Sequence, residues 1–303
     1  MSKVLITGAA GTLGQALIPV IAGAGYHLEL VDIQPIESEY EFHQIDILDA
    51  DALSPVMEGV DFVIHAAGLH GIHLSTRSPR EFYSINLTGT FNVWEASAQA
   101  GIKGFVFCSS VSVYGESRRP PREDAVVALS ENMPLLPSDI YGLTKFLGEE
   151  MSRYYVRRYG VPAVALRLGM FTPEPFFRHG IRLLYGGVDP RDVAQAVLKS
   201  IQAMEAGKIR WEVLNIASEV PFTKEDGPQL RKNPLPVLDK YYKDAVNLLK
   251  ERGVERLYPI HEFIPISKAE EKLGFRPEYN FSWWLQELEQ HPDYRTPKNP
   301  PWP

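Results

Sequence analysis

A tyrosine and a lysine four positions apart, Tyr141 and Lys145, are the residues of this chain best suited to proton chemistry. On a helix, side chains four residues apart share one face, so the ammonium would lie beside the phenol. A free tyrosine has a pKa near 10 and is a poor base at neutral pH. A cation within about 4–6 Å favours the phenolate and lowers that pKa. The tyrosine can then take a proton from a substrate hydroxyl as hydride leaves the carbon, or return one in reduction.

The spacing of this pair is not specific by itself. A second pair, Tyr294 and Lys298, has the same spacing in a proline-rich tail, where no helix can align it. What favours the first pair is the serine-rich segment 108–115, which follows a predicted strand. Ligands bind outside the carboxyl ends of strands in doubly wound sheets, so a hydroxyl there can reach the reacting oxygen. The alternative is that these serines only satisfy loop backbone.

The first two thirds of the chain alternate short apolar runs with longer amphipathic stretches. Several runs are almost continuously apolar, such as 62–64, as expected for strands with both sheet faces covered. This alternation predicts an α/β fold of the Rossmann type, with a doubly wound parallel sheet. The predicted strands cover 3–7, 27–32, a short run before Asp46, 61–65, 104–109 and 163–168, and the predicted helices cover 12–24, 79–100, 139–159 and 189–206.

A glycine-rich loop follows the first predicted strand and opens the first predicted helix. In a dinucleotide site one glycine makes the tight turn, another lets the backbone approach a pyrophosphate, and a third lets the helix pack on the strand. The phosphates then lie at the helix N-terminus, where free N–H groups favour negative charge. An ordinary strand-to-helix turn is the alternative, but the context favours a nucleotide. The predicted contacts are Gly8, Gly11, Thr12, Leu13 and Gly14.

Asp32 ends the second predicted strand, at about the offset where a carboxylate meets the adenosine ribose hydroxyls. A carboxylate there repels a 2′-phosphate, and residues 33–37 contain no arginine to hold one. The predicted cofactor is therefore NAD rather than NADP, unless Asp32 is only an exposed loop residue. Further along, Asp46 can accept from the adenine amino group while the N–H of Ile47 donates to the ring. The alternative for Asp46 is a turn that ends a strand.

Small residues close the fourth predicted strand. Ala66, Ala67 and Gly68 let the backbone pass close to a cofactor, whereas His65 before them can be purely structural. Cys108 is expected to be buried strand filler, because no partner for a thiolate lies beside it.

Composition and charge exclude several classes of protein. The net charge of -7 argues against a nucleic-acid partner, whose footprint is a basic patch. The apolar runs are far shorter than the roughly 20 residues of a membrane helix, so no membrane association is expected. A single cysteine and an N-terminus without an export signal predict a cytoplasmic protein. We predict a small-molecule substrate and no metal site.

In combination, the motifs resemble the extended short-chain dehydrogenase/reductase family, the NAD-dependent sugar epimerases, dehydratases and dehydrogenases. The resemblance spans about residues 3–215. It is carried by Gly8-x-x-Gly11-x-x-Gly14, Asp32, Asp46-Ile47, His65-Ala66-Ala67-Gly68, Asn86-x-x-Gly89-Thr90, Ser109-Ser110-Val111-Ser112-Val113-Tyr114-Gly115 and Tyr141-x-x-x-Lys145.

The resemblance assigns roles to individual residues. It implies that Ser110 polarises the substrate, with Ser112 as the runner-up, and that Tyr141 is the acid/base. Lys145 is its partner and can also hold the nicotinamide ribose, and Asn86 lies near the nicotinamide side of the site. The resemblance also implies a homodimer that pairs through a four-helix bundle made by the helices containing Asn86 and Tyr141.

The substrate region departs from relatives that act on nucleotide sugars. A segment resembling the family's next helix start, 189–194, comes soon after Pro173, which leaves little room to clasp a nucleoside diphosphate. The segment 172–175 locally resembles uronate dehydrogenase, a small-substrate member. A uronate carboxylate needs a cation, and guanidinium binds carboxylates as a two-toothed fork. Arg182 and Arg178 are the candidates, with surface arginines as the alternative; His70, Val111 and Ser112 complete the predicted substrate contacts.

The C-terminal third is less regular. We expect a loop over 221–236, a helix over 238–252, a helix over 268–273 with Ser267 as its N-cap, a helix over 281–290 and a flexible tail over 292–303. The predicted organisation is an NAD-binding Rossmann core over 1–170 and a small substrate-covering region over 171–303, from which 189–217 returns to the core.

Three functions are weighed. The first is an NAD-dependent oxidoreductase that moves a hydride to or from a small sugar, sugar acid or related hydroxy compound. The second is a nucleotide-sugar epimerase, or less readily a dehydratase, because Val111 and Ser112 occupy the places where a dehydratase normally has acidic help. The third is a non-catalytic nucleotide-sensing protein. The segment 219–265 is unexplained and can be a lid or an oligomer arm.

Overall fold

The computed structural model describes residues 1–295, and its largest element is a parallel sheet. The strands are β1 (Lys3–Thr7), β2 (His27–Asp32), β3 (Glu41–Gln44), β4 (Phe62–His65), β5 (Gly104–Ser110), β6 (Val127–Ala128), β7 (Ala163–Leu168), β8 (Trp211–Ile216) and β9 (Glu262–Phe263). Within the described residues, seven strands pair in the order β3-β2-β1-β4-β5-β7-β8, all parallel. The order reverses between β1 and β4, so ligands are expected at the carboxyl ends of these strands.

Helices cover both faces of this sheet. They are α1 (Thr12–Gly23), α2 (Ala50–Val56), α3 (Pro79–Tyr83), α4 (Thr90–Ala100), α5 (Ile140–Tyr159), α6 (Phe176–Leu183), α7 (Pro190–Glu205), α8 (Gly227–Lys232), α9 (Leu235–Tyr241), α10 (Ala245–Glu251), α11 (Ser267–Leu273) and α12 (Phe281–Gln290). One apolar cluster buries α1 and α7 against one face, and a second buries α2, α4 and α5 against the other. The predicted Rossmann-type fold is confirmed.

The elements of the first two thirds lie close to their predicted positions. The predicted helix 79–100 is helical throughout but passes through a π-helical turn, Ser84–Gly89, between α3 and α4. The helix predicted over 139–159 begins at Ile140, because the carboxylate of Asp139 caps it by accepting from the N–H of Gly142 at 2.7 Å. This cap fixes the first turn of α5, on which Tyr141 lies.

Three predictions for the C-terminal third are wrong. The expected loop over 221–236 contains α8 and the start of α9, because its apolar residues pack into a third core cluster. The expected helix 238–252 is two helices, since Asp244 adopts a left-handed conformation, with φ 61°, that interrupts it. Ser267 is the first residue of α11 rather than its cap, and the capping position is held by Ile266 without a side-chain hydrogen bond.

The division into domains stays a prediction, although α7 and β8 do join the main sheet layer. The third core cluster lies beside the sheet and gathers side chains from α6, α8, α9, α10 and α12. The strand β9 leaves this region and pairs with β6 as a separate two-stranded parallel sheet. Of the predicted flexible tail, residues 296–303 lie outside the described residues, and so does Lys298.

A buried ion pair fastens α5 to the sheet. The guanidinium of Arg167 on β7 donates to both carboxylate oxygens of Glu149 on α5, at 3.0 and 2.8 Å, and both side chains are almost fully buried. The hydroxyl of Ser109 at the end of β5 donates to the same carboxylate at 2.6 Å. Glu149 lies one turn beyond Lys145, so these bonds set the height of Lys145 and Tyr141 above β5.

The close contact of α5 with β5 also requires a glycine, Gly148, on the helix. A Cβ at Gly148 would lie 2.3 Å from Cζ of Phe107. Gly148→Ala is therefore expected to destabilise the fold by about 1–3 kcal/mol, because the helix must move off the strand. Gly23→Ala is the matched control, since a Cβ there meets nothing within 4 Å. Urea unfolding of both variants tests this; equal stabilities would contradict the packing argument.

Candidate active site

Two glycines of the glycine loop, Gly8 and Gly14, have no space for a side chain. At Gly8, with φ 76°, a Cβ would lie 2.6 Å from the backbone nitrogen of Ala67, and at Gly14 it would lie 2.3 Å from the carbonyl oxygen of Gly8. Gly11 occupies the capping position of α1 and offers no side chain to its first N–H groups. The loop therefore leaves the positive end of a helix open towards an adjoining cavity, which fits a pyrophosphate.

That cavity has a volume of about 280 Å³ and joins the predicted cofactor and catalytic residues. Its lining includes Gly8, Gly11, Thr12, Leu13, Ala66, Gly68, His70, Ser110, Tyr141 and Lys145. The loop at one end and the phenol at the other are thus parts of one concave site. Gly14 and Ala67 support its walls through the close contacts with Gly8.

The carboxylate of Asp32 is held at the end of β2, beside the glycine loop. It accepts from the N–H of Ala10 at 2.9 Å and from the N–H of Gln34 at 2.9 Å. It is partly exposed and is not part of the described lining of the cavity. This arrangement fits NAD and disfavours an additional phosphate.

Asp46 and Ile47 do not line this cavity. Asp46 is exposed, and its carboxylate accepts from the N–H of Leu48 at 2.9 Å, as in a strand-ending turn. The side chain of Ile47 is buried against Gly89, where a Cβ would lie 2.5 Å from its Cδ1. Their predicted contacts with adenine stay predictions.

His65 is a structural residue in this arrangement. Its Nδ1 lies 2.7 Å from the hydroxyl of Thr7, and its Nε2 lies 2.9 Å from the hydroxyl of Thr90, which itself donates to the carbonyl of Asn86. Because the Thr90 proton is committed, Nε2 must donate and Nδ1 must accept. Burial lowers the pKa of His65 to about 3, so the ring is neutral and ties β1 and β4 to the Asn86 turn.

Asn86 is buried on the π-helical turn, and its amide is fully engaged. Its oxygen accepts from the N–H of Leu69 at 2.7 Å, while its nitrogen donates to the Leu69 carbonyl at 3.0 Å and to the Thr144 hydroxyl at 3.1 Å. These bonds join the loop after β4 to α5. A Cβ at Gly68 would lie 2.9 Å from the Asn86 amide oxygen. Asn86 therefore shapes the cavity wall between the two segments.

Tyr141, Lys145 and Ser110 come together as predicted by their order along the chain. Ser110 ends β5 and lines the cavity beside the phenol of Tyr141. The ammonium of Lys145 donates to the carbonyl of Cys108 at 2.8 Å and lies 6.0 Å from the centre of the Tyr141 ring. A hydroxyl, a phenol and an ammonium thus surround one end of the cavity.

The predicted lowering of the Tyr141 pKa by Lys145 is wrong for the protein alone. Burial raises the pKa of Tyr141 to about 12, although the hydrogen bond from Ser110 opposes the rise. Burial lowers the pKa of Lys145 to about 8. Removal of both groups from water outweighs their mutual influence, because the ammonium does not contact the phenol oxygen.

The neighbours of Ser110 complete the chemistry of this end. The N–H of Ser112 donates to the Ser110 hydroxyl at 3.1 Å, and the two serine hydroxyls lie 3.2 Å apart. The His70 ring lies 5.3 Å from the Tyr141 ring, and burial with the nearby Lys145 charge lowers its pKa to about 4. Ser112 and His70 both line a second cavity beside Tyr141.

Cys108 is buried, and burial raises the pKa of its thiol to about 12. This fits a cysteine that only fills space in the strand.

The second cavity, of about 340 Å³, adjoins the first at Ser110 and Tyr141. Val111, Arg118, Arg182, Tyr185, Glu262 and Ile264 form much of its wall. It is at the small end of the range for ligand pockets, about 300–1,000 Å³.

The two candidate arginines share one carboxylate. Arg182 is buried, lines the second cavity and donates from Nη2 to Glu174 at 2.9 Å. Arg178 is half-exposed, contacts Glu174 at 2.8 Å and is not part of the described lining of either cavity. The geometry therefore brings Arg182 into the site and leaves Arg178 behind it.

Several residues of the site were not predicted. Glu149 had a sequence signal, as an acidic residue one turn beyond Lys145 on the same face, and Arg167 had another, as a charge within an apolar strand. Arg118 and Glu262 had none, because the chain separates them widely and the pairing of β6 with β9 brings them together. All four residues are charged side chains that the fold places partly or fully out of contact with solvent.

Comparison with known proteins agrees with the fold and shows the family. The family model described as "NAD dependent epimerase/dehydratase family" matches residues 4–175. Uronate dehydrogenase from Pseudomonas syringae pv. tomato is 30% identical over 78% of this chain and 89% of that protein. UDP-glucose 4-epimerase from Mus musculus is 31% identical over 85% of this chain and 77% of that protein.

A solved structure shows the same fold. A mutant of the uronate dehydrogenase from Agrobacterium tumefaciens, complexed with NAD, superposes with a TM-score of 0.68 at 22% identity, covering 99% of this chain and 92% of that chain.

This chain belongs to the NAD-dependent epimerase/dehydratase family. It is an enzyme, an NAD-dependent oxidoreductase, and the predicted family, cofactor and enzyme class are confirmed. Among the described residues, none of the helices has the length and apolarity that a membrane crossing requires.

The buried Lys145 gives a pH dependence of stability. Its folded pKa is lowered, so the folded protein releases this proton near pH 8 while the unfolded chain keeps it until about 10.5. The unfolded state binds more protons in that window, and the free energy of unfolding rises with pH there. From about pH 7.5 to 9.5 wild type should gain roughly 1–2 kcal/mol relative to Lys145→Met.

The measurement is denaturant unfolding of both proteins without cofactor at the two pH values. Groups that titrate in both proteins, including Cys108, cancel in the comparison. A difference between wild type and Lys145→Met that does not change with pH would show that Lys145 is not held at a lowered pKa.

Proposed function

We propose that the enzyme oxidises a small sugar acid, a free uronate, by transferring hydride from its hydroxyl-bearing carbon to NAD. The observation that carries this proposal is that Ser110, Tyr141 and Lys145 line the same cavity as the glycine loop, and that Ser110 and Tyr141 also border the small second cavity. The bound nicotinamide supplies the hydride acceptor. A bound substrate would then have its reacting hydroxyl at Ser110 and Tyr141, which border both cavities.

Each polar group at this end has a definite task. Ser110 holds the reacting oxygen by a hydrogen bond, with Ser112 supporting the Ser110 hydroxyl. Tyr141 takes the hydroxyl proton. Its pKa is high in the protein alone, so it must fall when positive charge enters the site. Lys145, fixed on the carbonyl of Cys108, provides a donor for the nicotinamide ribose. Neutral His70 can donate to a further substrate oxygen.

Arg182 is the proposed partner of the uronate carboxylate. Its Nε and Nη2 atoms face Glu174, at 3.4 and 2.9 Å, and Nη1 makes no hydrogen bond with the described residues. A buried guanidinium with an uncommitted amino group favours binding of a second carboxylate. Arg178 would then act indirectly, by sharing the charge of Glu174.

Epimerisation of a nucleotide sugar is the second candidate, because UDP-glucose 4-epimerases match this chain at a similar identity. In that reaction the hydride returns to the substrate and NAD stays oxidised. The small volume of the second cavity and the ion pairs that close it favour the dehydrogenase. Dehydration is disfavoured because Val111 and Ser112 offer no carboxyl group beside Ser110, and a nucleotide sensor would not need the phenol.

The expected result with wild type is NAD-dependent absorbance at 340 nm with free uronates and not with UDP-sugars. Tyr141→Phe should lower kcat by about 10²–10⁴ because the proton acceptor is lost. Its affinity for NAD, measured by calorimetry, should stay within a few-fold. Turnover of UDP-glucose without released NADH would instead establish the epimerase, and an unaffected Tyr141→Phe would exclude the proposed acid/base.

We also propose a homodimer that pairs through α4 and α5. Large apolar side chains are exposed on the outer faces of these helices: Phe91 47%, Leu143 40%, Leu147 37% and Tyr154 48%. Single exposed apolar residues are ordinary, but a row along two adjacent helices favours an interface.

The single buried Cys108 supports the further proposal of a reducing, cytoplasmic location.

Leu147→Glu should shift the protein from dimer to monomer in sedimentation velocity, because it places a charge in the middle of the row. Leu136→Glu is the control, since Leu136 is 52% exposed but lies outside these helices. Identical sedimentation of wild type and Leu147→Glu as dimers would place the interface elsewhere, and a monomeric wild type would remove it.

A further inference from the structure

The small sheet of β6 and β9 brings the segment 219–265 to the substrate cavity. The N–H of Val127 donates to the carbonyl of His261 at 3.0 Å, and the N–H of Leu129 donates to the carbonyl of Phe263 at 2.9 Å. These two bonds flank Glu262 and fix its backbone. The side chain of Glu262 then lines the second cavity together with Ser110, Ser112 and Tyr141.

The carboxylate of Glu262 is only half committed. Its Oε1 accepts from Nη1 of Arg118 at 2.5 Å, and its side chain is 20% exposed. Arg118 is fixed in turn, because its Nη2 donates to the carbonyl of Val111 at 2.7 Å. Oε2 of Glu262 makes no hydrogen bond with the part of the chain that the structure describes. An acceptor therefore remains on the cavity wall.

The chemistry of this acceptor selects its partner. An unpaired carboxylate oxygen on a cavity wall can accept a hydrogen bond, and a substrate hydroxyl can donate one. A phosphate or second carboxylate would meet negative charge instead, and Arg118 has both terminal amino groups engaged with Glu262 and Val111. Burial raises the pKa of Glu262, and the charge of Arg118 opposes that rise.

We propose that Glu262, held by Arg118, is a specificity-determining residue that accepts a hydrogen bond from a substrate hydroxyl away from the reacting carbon. The proposal rests on the proposed function, since it describes the other end of the same substrate. It makes the substrate a free polyhydroxy compound with its carboxylate at Arg182 and a neutral hydroxyl at Glu262. Sugar phosphates that carry the phosphate at this end are rejected.

The test is a double-mutant cycle between the protein and the substrate. Wild type and Glu262→Ala are measured with D-glucuronate or D-galacturonate, whichever turns over faster, and with its singly deoxygenated analogues. For wild type, one particular deoxy analogue should lose about 10- to 100-fold in kcat/KM, the value of a hydrogen bond to a charged group. Glu262→Ala should lose about as much with the parent uronate and lose almost nothing further with that analogue.

Controls separate recognition from folding. Glu262→Gln keeps an oxygen for Arg118 and should lose less than Glu262→Ala, and Glu255→Ala removes an exposed carboxylate of the same segment and should behave as wild type. Melting temperature and NAD affinity should be unchanged in all three. Equal losses by Glu262→Ala on the parent and every analogue, or activity within twofold of wild type, would overturn the proposal.

A binding version keeps this test independent of turnover. Calorimetry of the same sugars on Tyr141→Phe, with and without Glu262→Ala and with NAD present, measures the cycle without hydride transfer. If wild type forms no NADH but this binding cycle shows the coupling, the proposed function fails and the hydroxyl subsite stands. If NADH forms and the cycle is additive, or if none of these sugars binds, the subsite is wrong.

Discussion

The buried ion pair between Glu149 and Arg167 is the interaction on which the geometry of the site depends. It joins α5 to β7 with two hydrogen bonds, and Ser109 adds a third at the end of β5. Removing one partner of such a pair leaves an unpaired buried charge, which costs about 3–5 kcal/mol. The helix that carries Tyr141 and the strand that carries Ser110 are therefore fixed against each other before any ligand binds.

Burial sets the electrical state of the site. Tyr141 and Lys145 are both held towards their neutral forms, with pKa values moved in opposite directions by the same loss of water. Positive charge arriving beside them favours the phenolate, so cofactor binding and acid/base competence are coupled. His65 and Asn86 serve this arrangement by tying the ends of β1 and β4 to the turn next to α5. They position the cavity wall without needing to touch the reacting atoms.

The sequence was most informative where function depends on local pattern. The glycine loop, the strand ends and the Tyr141 helix follow from spacing and periodicity, which act over a few residues. The ionisation of Tyr141 was mispredicted, because burial is a property of the whole fold. The interruption at Asp244 and the Arg118–Glu262 pair depend on packing and on strand pairing between distant segments. Of the two candidate arginines, Arg182 is the better placed by its position in the sequence, and the fold places it in the lining of the second cavity, whereas Arg178 is not part of that lining.

The proposed oxidation of a small substrate depends on the second cavity and on the Arg118–Glu262 ion pair in its wall. The most direct test follows the hydride itself. The enzyme is incubated with NAD and a uronate deuterated at the carbon that bears the reacting hydroxyl, and the released nucleotide is analysed by mass spectrometry. Deuterium in free NADH is the predicted result. Deuterium retained in the sugar, with NAD still oxidised on the protein, would contradict the account.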